Sequence, residues 1–163
     1  MNIKIERLPE NQLKPLYQDP SQLGFGKVFT DYMFSMDYYK GKGWTEPKIS
    51  QYAPMNIGPA AVVLHYSQEI FEGLKAYAAE DGRILLFRPE ENAKRMYDSA
   101  ERMCMAPFPI EYFLESVTTL VNLEKRWIPR AEGTSLYIRP FVIATDPYLG
   151  VRPSHTYKFF IIL

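Results

Sequence analysis

The sequence predicts an α/β domain of the α+β kind. Three observations predict it: bulky, aromatic strand-like runs in the first half, two amphipathic helices in the middle, and a return to strand pattern at the end. From Val28 to Tyr39 aromatic and bulky residues recur, and Gly41-Lys-Gly43 behind them marks a turn. A second strand is expected over Lys48 to Tyr52, then a loop punctuated by Pro54, Gly58 and Pro59. Ala61-Val-Val-Leu64 suggests the start of another strand, with a short helical turn over Ser67 to Phe71. Asp81-Gly82, between Ala76–Ala79 and Arg83–Phe87, is a hairpin signal, because glycine accepts the positive φ that such a turn needs.

Pro89 suits the first turn of a helix, where its missing N–H costs nothing, and Glu90 and Glu91 favour the positive end of the helix dipole. Ala93, Met96, Tyr97, Ala100 and Met103 then recur at helical spacing. A second helix starts near Pro109, with Ile110, Phe113, Leu114, Val117, Leu120 and Val121 on one face and Pro129 beyond its end. Thr134 to Ala144 reads as a strand, Pro147-Tyr-Leu-Gly150 as a loop, and Tyr157 to Leu163 as a short apolar strand. A terminal apolar strand leaves a face to be covered, so a chain cut at a domain boundary is expected; the alternative is a central strand buried within this domain.

Composition narrows the chemistry. Apolar residues make up 47% of the 163 and charged residues 23%, which fits a globular chain with a real core rather than a disordered one. Lysine plus arginine equals aspartate plus glutamate, 19 against 19, so no basic excess favours nucleic acid. No apolar run approaches the roughly 20 residues of a membrane span, and no secretory signal opens the chain. A lone Cys104 makes no internal disulfide and points to the cytoplasm or another reducing space. Its place at the end of an apolar helix face suggests a small core residue rather than a nucleophile. His65 and His155 lie far apart, so a Cys/His zinc site has no support, and no Walker loop, nucleophile elbow or dinucleotide fingerprint is present.

Three segments combine charge with aromatics: Leu64 to Tyr77, the Asn92-Ala-Lys-Arg-Met96 stretch of the first helix, and Ser135-Leu-Tyr-Ile-Arg-Pro140 with the loop behind it. Tyr137 and Arg139 are two apart and share one face of a strand, where the arginine can bind a carboxylate or simply be solvated. Arg95 borders the apolar stripe of its helix, where it can hold a phosphate or snorkel to water.

Taken in order, these segments resemble the branched-chain amino-acid aminotransferases, among the pyridoxal-phosphate enzymes of fold type IV. The resemblance runs from about Phe25 to Leu163 and includes Phe25-Gly-Lys-Val-Phe-Thr-Asp31, the His-Tyr-Ser to Phe-Glu-Gly-Leu-Lys-Ala block, Leu86-Phe-Arg-Pro89, Asn-x-x-Arg-Met and Ser-Leu-Tyr-Ile-Arg-Pro. The Phe-Glu-Gly block and Ser-Leu-Tyr-Ile-Arg-Pro favour the branched-chain members over D-amino-acid aminotransferases and aminodeoxychorismate lyases. The resemblance implies the small domain of such an enzyme, a mostly antiparallel twisted sheet with two main helices packed on it, over residues 25–163; residues 1–24, proline-punctuated and weakly patterned, read as an N-terminal arm. It also implies pyridoxal 5'-phosphate as cofactor, with Arg95 on its phosphate.

For the substrates, the resemblance implies an apolar pocket lined by Phe25, Tyr66, Phe71 and Tyr137 for leucine, isoleucine and valine, and Arg139 answering the side-chain charge of glutamate or 2-oxoglutarate. Leu149 and Val151 match a loop that reaches a neighbouring subunit's site, which implies a homodimer. The Schiff-base lysine is expected in a further domain beyond Leu163, so no catalytic residue is assigned in this chain and the fragment alone is expected to be inactive. A stand-alone, non-catalytic binding module is the alternative.

Overall fold

The structure, a computed structural model, describes residues 1–17, 19 and 24–163. Tyr32–Tyr39 (β2) and Gly43–Gln51 (β3) form an antiparallel hairpin whose turn uses Gly41 and Gly43, both with φ near +85°. The hairpin register shifts between Ser35 and Asp37. On the facing strand Glu46 has φ 58° and Pro47 follows, so β3 runs through a proline that a regular ladder would reject and begins earlier than its apolar pattern suggests. A two-residue strand, Lys4–Ile5 (β1), pairs parallel to β3.

Two short elements are exchanged relative to expectation. Ala61–Leu64 is not the start of a strand: Val62–Tyr66 is a helix (α1), stopped by Ser67 in the left-handed region at φ 51°. Nor is Ser67–Phe71 a helical turn, since Glu69–Phe71 (β4) is a strand paired with Leu136–Ala144 (β7). Both elements are too short to display a period, and tertiary pairing decides them.

Leu74–Ala78 (β5) and Ile84–Leu86 (β6) form the predicted hairpin around Gly82. The helices lie where the spacing places them, Pro89–Arg102 (α2) and Ile110–Leu123 (α3). Met103 and Cys104 fall past the end of α2 and are exposed; Cys104 turns the chain at φ 53°, so it is not the buried core residue expected.

The last strand, Thr156–Ile162 (β8), is central: the sheet order is β1-β3-β2-β8-β7-β5-β6, with β4 also on β7. Its apolar character follows from that position, so the run says nothing about a cut chain. Phe159, Phe160 and Ile161 are all buried. Phe159 stacks on Phe108 at 3.8 Å between centroids and meets Phe34 edge-on at 5.8 Å. One face of the sheet, carrying Phe34, Ala76, Ile138, Val142, Phe159 and Ile161, closes the core against Ala93, Met96, Phe113, Val117 and Leu120 of the helices. The other face carries the alternate residues and has no helix over Phe71, Tyr77 or Leu85, which are exposed. No helix among the described residues is long and apolar enough to cross a membrane.

Two buried carboxylates tie the N-terminal segment and the end of α3 to the sheet. Burial acts to raise the Asp31 carboxyl, but it accepts from the Lys14 N–H, the Trp127 indole and Arg126, and these hold it below the usual carboxylate range. Glu124 is as deeply buried without a cation bonded to it. Desolvation pushes it up, opposed in part by the Tyr32 N–H it accepts and by Thr30, and Asp31 nearby pushes it further up. A raised acid favours the folded state in its protonated form. Its contribution is therefore fully present below the unfolded value near 4.5 and lost as pH rises through the higher folded value. Glu124→Gln keeps an acceptor for the Tyr32 N–H and removes the titration. Urea unfolding of the variant is expected to match wild type near pH 4.5 and to exceed it at pH 8; equal stability at both values rejects the assignment.

Candidate functional site

Strand β7 has β8 on one edge and, on the other, first β5 (at Leu136 to Ile138) and then β4 (at Phe141 to Ile143). The change of partner falls at Pro140. In an extended strand a residue's N and O point to the same side, and the Pro140 carbonyl accepts the Glu72 N–H at 2.9 Å. The nitrogen on that side has no hydrogen to give, so the ladder cannot continue there. The chain instead steps through Glu72-Gly73 between β4 and β5. The Gly73 carbonyl accepts from Asn92 Nδ2 at 3.3 Å, on α2.

Glu72 is 7% exposed, a carboxylate sunk between sheet and helix. Its Oε1 accepts from Arg95 Nε at 2.9 Å, and its Oε2 from Arg95 Nη2 at 2.7 Å and Asn92 Nδ2 at 2.8 Å. Asn92 and Arg95 are three apart on α2, which places both over Glu72. The Arg95 side chain is otherwise open, 64% exposed, and its charge is reinforced first by the Glu72 hydrogen bonds and then by the charges of Glu72 and, more weakly, Glu91. Sequence reasoning named Arg95 but gave Glu72, Gly73 and Asn92 no role, although all three lie in quoted motifs.

On the open face of β7, Tyr137 and Arg139 stand side by side, and Arg139 Nη2 donates to the Tyr137 hydroxyl at 2.7 Å. The Arg139 guanidinium lies 4.3 Å from the centre of the Phe71 ring and 5.3 Å from that of Tyr137. No described carboxylate pairs with it, and its buried Nε has no hydrogen-bond partner. Phe25 meets Tyr137 edge-on at 5.0 Å. A cavity of about 370 Å³ opens here, with Phe25, Val28, Phe29, Leu136, Tyr137 and Arg139 among its walls. Four of the expected residues, Phe25, Phe71, Tyr137 and Arg139, are thus brought together.

The others form a second group. The Tyr66 hydroxyl donates to the Leu149 carbonyl, and α1 meets the loop through Ala61 and Pro147. The loop is braced by Asp146, which accepts from the His155 N–H at 3.0 Å and pairs with Arg152 at 2.9 Å; Arg152 also covers the Tyr148 ring. Leu149 and Val151 project outward, 61% and 90% exposed. No hydrogen bond or ring contact among the described residues joins Tyr66, Leu149 or Val151 to Arg139.

Gly73 connects the two arginines structurally. A side-chain carbon there would overlap the Tyr137 hydroxyl and sit 3.2 Å from its Cζ, so the phenol keeps its place beside Arg139 only because residue 73 has no Cβ. Gly73→Ala is expected to lower stability by about 1–3 kcal/mol, the usual cost of overpacking. The same change in a Tyr137→Phe background should cost less, since the clashing oxygen is gone. Thermal melts of the four proteins check this; additive losses would show that the two residues do not compete for space.

No family model matches the chain. The branched-chain-amino-acid transaminase 1 of Bacillus subtilis is 59% identical over 145 residues, 89% of this chain and 41% of that protein. The Escherichia coli branched-chain amino acid aminotransferase superposes with a TM-score of 0.60 at 23% identity, over 82% of this chain and 39% of that one. The branched-chain amino acid aminotransferase from Thermobaculum terrenum, in its PLP form, gives 0.57 at 18% identity, over 81% and 39%. The chain spans about two-fifths of the length of the relatives it matches. By sequence the chain is similar to part of these branched-chain aminotransferases, and its fold matches the corresponding part of the solved ones.

Proposed function

We propose that this chain supplies one wall of the cleft of a branched-chain amino-acid aminotransferase, which passes the amino group of leucine, isoleucine or valine to 2-oxoglutarate. In this reading residues 25–163 are the small domain, residues 1–24 its N-terminal arm, and the lysine-bearing domain is a separate stretch of polypeptide. The complete protein works as a homodimer in the cytoplasm, with Leu149 and Val151 turned toward the neighbouring subunit's site. The alternative, a stand-alone binding module, has no observation in its favour.

The observation that carries the reading is Arg139: a cation held against aromatic rings, with a buried Nε that no group among the described residues satisfies. Such a group suits an anion that arrives and leaves. Branched aliphatic side chains would pack against Phe25, Phe71 and Tyr137, where each methylene buried contributes about 0.8 kcal/mol. That increment is too small to separate leucine from valine sharply. A glutamate side chain, by contrast, would be strongly disfavoured in an unanswered apolar site, and Arg139 with the Tyr137 hydroxyl answers it.

Pyridoxal 5'-phosphate fits the donor set, since Arg95 offers a fixed, exposed guanidinium of the kind that holds a phosphate. When bound, the cofactor supplies the electron sink for amino transfer. What this chain's residues do is bind and orient. Arg95 holds the phosphate end, Tyr137 and Arg139 hold a side-chain carboxylate, and the aromatic rings exclude water from the substrate's side chain.

Amino transfer from leucine to 2-oxoglutarate by the full-length protein tests the reading, and its absence would reject it. Within that assay Arg139→Ala is expected to lower kcat/KM for glutamate by about ten- to a hundredfold, the loss of one or two charge-assisted hydrogen bonds, and for leucine by much less. Equal losses on both substrates would remove Arg139 from this role.

A further inference from the structure

We propose that Glu72 is a positioning residue that fixes which edge of Arg95 an anion meets, so that phosphate affinity at this site depends on a buried carboxylate that does not touch the phosphate. The inference rests on Arg95 as the phosphate ligand.

A guanidinium is planar and presents distinct hydrogen-bonding edges. Glu72 occupies the edge made by Nε and Nη2, at 2.9 and 2.7 Å. The end made by Nη1 and the second hydrogen of Nη2 is left over, and no described residue accepts from Nη1. That end belongs to a side chain that is 64% exposed, whereas Glu72 below it is 8% exposed. The carboxylate cannot follow a moving arginine. Its backbone N–H is bound to the Pro140 carbonyl and its Oε2 to Asn92. Arg95 is therefore gripped from the buried side and offers one free end outward.

Without that grip Arg95 has another carboxylate within reach of its field. Glu91 lies one helical turn earlier and already interacts with Arg95 through space. Glu91 is exposed and shared with Lys94 at 2.8 Å and Arg88 at 3.5 Å. An arginine released from Glu72 divides its time between that surface cluster and solvent, and an arriving anion must gather it back.

Two effects of removing Glu72 oppose each other, and this makes the proposal decidable. Glu72 is an anion near a second anion, so electrostatics alone predicts that Glu72→Gln binds phosphate more tightly. Positioning predicts weaker binding, because glutamine offers one acceptor where two hold the guanidinium. It also predicts that Glu72→Gln leaves the rest of the fold undisturbed, since Pro140 still receives the backbone N–H.

The test is a titration of the 163-residue chain, labelled with ¹⁵N at arginine, with inorganic phosphate, following the Arg95 Nε–H resonance. Arg95→Lys identifies the resonance. In the wild type the resonance is expected to be as rigid as the α2 backbone and to shift with phosphate. In Glu72→Gln it is expected to become mobile, and the phosphate midpoint to rise about tenfold with backbone amide shifts retained. An unchanged or lower midpoint in that variant overturns the proposal while leaving the phosphate reading of Arg95 intact. No response of the wild-type resonance to phosphate overturns the phosphate reading itself. The wild-type relaxation data decide independently of how the variant folds: an Arg95 head group as mobile as that of the exposed Arg7 also defeats the proposal.

Discussion

Pro140 has no hydrogen to donate toward the neighbouring strand, and the two residues at that break, Glu72 and Gly73, lie against Arg95 and against the Tyr137 phenol beside Arg139. Had residue 140 carried an N–H, β4 and β5 could have run as one strand along β7, with Glu72 and Gly73 inside a regular ladder. The ladder is interrupted, so Glu72 keeps only its own N–H on β7, while the Gly73 carbonyl, on the opposite side of the chain, accepts from Asn92. The register is the same on both sides of the step, so strand alternation puts the Glu72 carboxylate under α2 and the Cβ-less Gly73 under the Tyr137 phenol. Ser-Leu-Tyr-Ile-Arg-Pro and Phe-Glu-Gly are far apart in sequence, yet each makes sense only beside the other.

The buried carboxylates show how little burial alone decides. Asp31 is surrounded by three donors, from Lys14 and from the adjacent Arg126 and Trp127, and its charged form is favoured. Glu72 is surrounded by a guanidinium and an amide, and its negative charge is matched on the spot. Glu124 has a backbone donor but no bonded cation, and Asp31 beside it adds repulsion, so its neutral form is favoured. Desolvation is common to all three, and the supply of donors separates them. Asp31 and Glu124 hold the fold around the strand β2, and Glu72 serves the site.

Much of the architecture was legible in the residues. Asp81-Gly82 forced its hairpin, Pro89 with Glu90 and Glu91 opened α2, and the 3.6-residue recurrence through Val117 and Leu120 fixed the buried face of α3. Residues 61 to 71 were misread because α1 is five residues and β4 three, below the length at which either period shows. The strand β8 was read in its place but its central position was not: continuous apolarity marks burial on both faces without saying which neighbours provide it. At the site, Tyr137 and Arg139 could be paired from their spacing alone, and the resemblance supplied Phe25 and Phe71. Glu72 could not be found that way. Its partners come from α2 and from across the sheet, and an isolated glutamate between two strands carries no period.

The two arginines also divide the electrostatic work in a way that suits a site with charged and uncharged visitors. Arg95 has its charge matched by Glu72, so an anion bound at its free end gains direction as much as charge. Among the described residues Arg139 has the faces of Phe71 and Tyr137 and one phenolic oxygen. Aromatic faces hold a cation weakly and lose nothing when an apolar side chain lies beside them. Under the proposed reading this resolves the double demand on the pocket. With leucine bound, Arg139 rests on its rings while the aliphatic group packs on the same aromatic surface. With glutamate bound, the carboxylate takes the donors that the protein leaves unfilled. A carboxylate in place of the rings would hold Arg139 more firmly and would compete with glutamate for it, so in that reading the weakness of the resting contacts would let one pocket serve both substrates.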